Sequence, residues 1–208
     1  LRRLADLPPV FKRADELGAC IDVAVFEDCN GTISEIIEAI PEAIPSTKWY
    51  TPDFHPQALE QHGYVEIDRK TFLGDWYDVS RRCLILRGQW TLDSGRTLED
   101  PTYPELYGVK RRAGMAPLAE GRGQFAYAFS QTPYKTPVSA EFHAAFDEIL
   151  EFILPSDAEN RILDWGGPHL PAVSNYFEAG AEWWGTFLFS IYTPELRRLC
   201  VIAASTTD

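Results

Sequence analysis

The chain has 208 residues, enough for one domain with a sizeable core, and its 45% apolar and 24% charged content belongs with folded rather than disordered chains. Its formal net charge of −12 opposes a nucleic-acid backbone or an anionic membrane surface and favours a basic protein partner. No uncharged stretch reaches the roughly 18 residues that a membrane-spanning helix needs.

Leu1, Arg2, Arg3 and Leu4 run into Asp6 and the Pro8, Pro9 pair instead of an apolar core, so no secretory leader is expected and the cytoplasm is the expected location. The turn proline and Gly18 bracket a short helix over 10–17. Residues 20–26 are rich in β-branched side chains and predict a strand ended by Asp28, Asn30 and Gly31. A capping box, Thr32 with Glu35, opens a helix whose Ile33, Ile36, Ile37 and Ile40 share one face until Pro41. After an irregular proline-rich stretch, a short helix is expected over 56–62 and a strand over 64–68.

Residues 83–87 predict an apolar strand that resumes at 90–92 beyond Gly88, and 93–123 reads as a long surface excursion. The alternation of Phe125, Tyr127 and Phe129 with alanines predicts a half-buried strand. Ser139 then caps a helix with the stripe Phe142, Phe146, Ile149, Leu150 and Ile153, ended by Pro155, and two strands follow at 183–192 and 196–204. Together these predict a single α+β domain over 1–208: an antiparallel or mixed sheet of five to seven strands with two or three helices packed on it.

Phosphate-loop, dinucleotide-binding, zinc-protease and nucleophile-elbow motifs are missing, which favours a noncatalytic reading, and no cofactor is expected. Cys20, Cys29, Cys83 and Cys200 form no CxxC pair, and His55 with His62 and Asp53 is poorly spaced for ligation, so no metal site is expected. His143 falls beside the apolar stripe and is expected to face solvent.

Two kinds of constellation carry chemistry. Asp75, Trp76, Tyr77 and Asp78, echoed by Glu182 with Trp183 and Trp184, combine carboxylates with aromatic rings as a hot spot for a basic partner would. One ring of the 183–184 pair must face the core, and Trp184 is expected at the contact surface along with Trp165. The run Asp164, Trp165, Gly166, Gly167, Pro168, His169 offers the alternative: an acid and an imidazole at a glycine-rich turn, able to form the acid/base pair of a small hydrolase or lyase with the basic loop 110–112 nearby. Arg81 with Arg82, Lys110 with Arg111 and Arg112, and Arg197 with Arg198 are solvated charges by default, with an anion site as their functional alternative. The leading expectation is an acidic protein-binding domain, monomeric or a small homo-oligomer, of the kind bacteria use as cytosolic immunity or inhibitor proteins against basic toxins.

Overall fold

The computed structural model describes residues 1–45, 51–134 and 136–206. The first half runs β1 (Arg2–Arg3), α1 (Pro9–Glu16), β2 (Asp22–Glu27), α2 (Ile33–Ala39), α3 (Pro56–His62), β3 (Val65–Ile67), α4 (Arg69–Leu73), β4 (Tyr77–Asp78), β5 (Cys83–Leu84) and β6 (Gln89–Leu92). The second half runs β7 (Thr97–Glu99), α5 (Tyr103–Leu106), β8 (Arg111–Gly114), α6 (Phe125–Ser130), α7 (Ala140–Ile153), β9 (Arg161–Asp164), α8 (Leu170–Val173), α9 (Glu178–Ala181), β10 (Thr186–Thr193) and β11 (Arg198–Ser205).

The fold is α+β. Six strands pair antiparallel in the order β1, β2, β11, β10, β9, β3, and a separate three-stranded sheet runs β7, β6, β8. The β10–β11 hairpin at its centre explains why residues 186–205 read as near-continuous apolar runs. Side chains alternate between the sheet's faces, and both faces are covered. Phe187, Phe189, Ile191, Cys200, Ile202 and Ala204 join one buried cluster with the stripe of α7 and with α6. Leu188, Leu199, Val201 and Ala203 join another with Ile36, Leu59 and Leu170 from α2, α3 and α8.

The caps act where the sequence placed them. Thr32 Oγ1 accepts from the Glu35 amide while the Glu35 carboxylate accepts from the Thr32 amide, and Ser139 Oγ accepts from the Phe142 amide at 3.2 Å. Nine helices are present among the described residues; five of them, α4, α5, α6, α8 and α9, have four to six residues, too short for periodicity to reveal.

Three expected elements differ. Residues 125–129 are helical, as α6, and every residue from Phe125 to Ser130 is buried. A helix surrounded by core has no polar face, so its 3.6-residue period is invisible and the alternating rings imitate a strand. The 83–87 strand shrinks to β5, with Ile85 in an isolated bridge to Thr102. The 93–123 excursion is partly internal: Tyr103 and Leu106 of α5 are buried, while 108–115 is exposed.

Candidate binding site

The glycine-rich turn at 164–169 is built from the end of β9. Asp164 is 2% exposed, and its carboxylate accepts from the Gly123 amide at 2.9 Å and the Gly166 amide at 2.7 Å, with the Arg122 guanidinium 3.8 Å away. Arg122 in turn donates to the Gly166 carbonyl at 2.6 Å. Trp165 is 1% exposed and donates from Nε1 to Ser190 Oγ at 2.9 Å. Each of these groups is engaged in fastening the 121–124 loop and the 165–167 turn to the sheet.

The expected acid/base pair is not formed. Asp164 lines a cavity of about 520 Å³ together with Arg122, Thr186 and Phe187, but His169 is not among its lining residues. The His169 ring stacks on His62 of α3, centroids 4.1 Å apart and 17° between planes. Burial, then the charge of His62, lowers the His169 pKa from its usual value, with Arg122 acting the same way and the Trp165 carbonyl and Asp164 opposing. Of the basic run 110–112, Arg111 borders a different cavity, described below.

The acidic-aromatic surface also needs correction. Trp76 is 2% exposed and packs edge-on against Tyr127 with centroids 4.8 Å apart. Tyr77 is buried against Phe146, and Trp184 is buried with Nε1 donating to the Gln131 carbonyl at 2.7 Å. With Trp165 also internal, none of these four rings is offered to a partner as a surface contact. The physical reason is common to them: a large ring gains more from burial than from solvent. Asp78 is occupied by its own turn, accepting from the Ser80 and Arg81 amides at 2.9 and 3.0 Å. Asp75 and Glu182 remain on the surface.

Trp183 takes the place expected of Trp184. It is 44% exposed, because the strand begins only at Thr186, after Gly185 turns the chain with φ 128°. It lines a cavity of about 460 Å³ with Trp90, Leu86, Tyr127, Val138 and the strongly exposed Met115 and Leu118, which are 83% and 53% accessible. Two further lining groups are polar. Tyr103 is wholly buried, and its hydroxyl accepts from Gln131 Nε2 at 3.5 Å. Burial pushes its phenol up to about 12, with the Ser130 hydroxyl and the charge of Arg111 acting the other way. Arg111 of β8 places its guanidinium 5.2 Å over the ring of Trp90. Sequence spacing gave no hint of this assembly, since its parts come from β6, α5, β8, α6 and the 183–185 turn.

His143 is 7% exposed and not on the surface. Its Nε2 accepts from the Leu84 amide at 3.3 Å, which assigns the proton to Nδ1 and makes it the donor to the Tyr107 hydroxyl at 2.6 Å. Burial lowers its pKa, against the opposing charge of Asp147. The imidazole thus ties α7 to β5 and to the end of α5. Among the described residues no group of three or more His, Cys, Asp or Glu side chains is placed to hold a metal ion, and no helix is long and apolar enough to cross a membrane. Comparison with protein-family models, curated protein sequences and solved structures found no match.

Proposed function

We propose that this chain is a noncatalytic, acidic protein-binding domain for a basic protein partner, acting in the cytoplasm in the manner of a bacterial immunity or inhibitor protein that neutralises a basic toxin. The observation that supports this reading is the exposed ring of Trp183, with Glu178 and Glu182 exposed on the same short segment and Met115 and Leu118 bordering the same cavity. An exposed indole beside carboxylates and apolar side chains is the composition of a contact hot spot, and the net charge of −12 would speed encounter with a cationic surface. The acid/base reading has no comparable support, because Asp164 and His169 engage different neighbours.

Calorimetric titration of the intact chain against a panel of basic toxin domains tests the reading. Binding should weaken with added salt and fall by about tenfold or more in Trp183→Ala, with a smaller loss in Glu182→Gln. Affinity indifferent both to salt and to Trp183→Ala would remove the reading.

A further inference from the structure

The chain holds 31 acidic and 19 basic residues, so a surface arginine has an excess of carboxylates to pair with. Arg2, Arg3, Arg13, Arg87 and Arg161 each do so. Arg111 does not. Among the described residues no carboxylate or hydrogen-bond acceptor engages its guanidinium, which is held over Trp90 by the pairing of β8 with β6. The register shift between Thr91 and Leu92 sets Arg111 opposite Leu92 and Gly114 opposite Trp90, where a Cβ would lie 2.4 Å from the indole. Glycine at 114 therefore leaves the room in which the Trp90 ring lies.

The same cavity has an apolar body. Leu86, Trp90, Tyr127 and Val138 line it, and Tyr103 and Ser130 supply hydroxyl groups. About 460 Å³ is within the range of small-molecule sites, which combine mostly apolar walls with a few placed polar groups. Lys110 and Arg112 flank Arg111 but are not lining residues, as expected when neighbours on a strand point to opposite faces. A single arginine thus faces the cavity, which suits one negative charge better than the two of a phosphate monoester. Its planar fork matches a carboxylate, and stacking on an indole leaves the fork's edge free to donate.

We propose that this cavity binds a small organic monocarboxylate with an apolar body, Arg111 pairing with the carboxylate and the body lying among Trp90, Leu86, Tyr127 and Val138. The inference shares this cavity with the protein-binding reading, for which Trp183, Met115 and Leu118 are contact residues, but it rests on Arg111 and the apolar walls and not on Glu178 and Glu182, which do not line the cavity.

Isothermal titration of the full chain with 2-naphthoate, with neutral 2-naphthylmethanol and with cationic 2-naphthylmethylammonium is the test. Naphthoate should bind saturably at one site, and the neutral probe about tenfold or more weaker, the size of a charge-assisted hydrogen bond. Arg111→Gln should bring naphthoate down to the neutral probe's affinity, while Arg112→Gln should change it by less than about twofold. Methyl resonances of Leu86 and Val138 should shift on adding naphthoate to the native chain, which locates the site without any variant. Absence of saturable naphthoate binding, unchanged affinity in Arg111→Gln, or the ammonium probe binding as tightly as naphthoate would overturn the proposal. Loss of toxin binding in the double variant Glu178→Gln/Glu182→Gln, whose side chains do not line the cavity, with naphthoate affinity intact would separate the two readings.

Discussion

The turn at 164–169 and the cavity beside β8 each bring together a tryptophan, a charged side chain and glycines, yet they spend them differently. At the turn, the Asp164 carboxylate is buried and taken up by two backbone amides, and the Trp165 indole N–H by Ser190. At the cavity, the Arg111 cation is exposed and pairs with no carboxylate among the described residues, and Trp183 is nearly half in solvent. Buried polar groups whose hydrogen bonds are satisfied hold a fold together, whereas exposed rings and unpaired charges gathered around a concavity are free to meet a ligand. The first region catches the eye in the sequence; the second is where the proposed recognition lies.

The sharpest way to break this contrast is at the turn. Gly123 has φ +75°, and a Cβ there would lie 1.8 Å from the Thr71 carbonyl oxygen, so Gly123→Ala must displace the loop whose amide Asp164 holds. A loss of about 3 kcal/mol or more is expected in denaturant unfolding. Asp164→Asn is milder. It keeps the shape but leaves one of two amides without an acceptor, a loss of about 1–3 kcal/mol measured the same way. Thermal stability close to that of the native chain in both variants would mean that the turn is not structural.

A smaller effect comes from pH. The folded-state pKa of His143 lies below the usual imidazole value, chiefly through burial, so its contribution to stability is complete above the unfolded value of about 6.5 and is lost as pH falls through the depressed folded value. His169 has the same sign. Asp147, whose carboxyl burial raises, acts in the opposite direction, while the charges of His143 and then Arg82 lower it. Stability measured by urea unfolding should therefore decline from pH 7 toward pH 5. His143→Gln retains an acceptor for the Leu84 amide without an ionisable ring and should decline less steeply; an identical slope in both would remove His143 as a contributor.

Much of the architecture was legible because its causes are local. Thr32 with Glu35, Ser139 with the α7 stripe, and the paired apolar runs of β10 and β11 each announce themselves within a dozen residues. What escaped depends on contacts across the chain. Nothing near Phe125 signals that α6 is enclosed on all sides, and nothing near Trp183 and Trp184 says that the Gln131 carbonyl claims the second indole and not the first. Adjacent rings cannot both turn inward, and which one does is set by where β10 begins. The cavity was least visible, since Arg111, Tyr103, Tyr127 and Trp183 are scattered over some eighty positions and meet only after folding.

That division of labour between adjacent indoles gives the most direct measurement: thermal unfolding of Trp183→Ala and Trp184→Ala side by side. Truncating the buried Trp184 should cost about 3–5 kcal/mol and lower Tm by roughly 6 °C or more, while Trp183→Ala should stay within about 0.5 kcal/mol, under about 2 °C. Equal losses in the two variants would show that Trp183 serves the fold and is not held out for a partner.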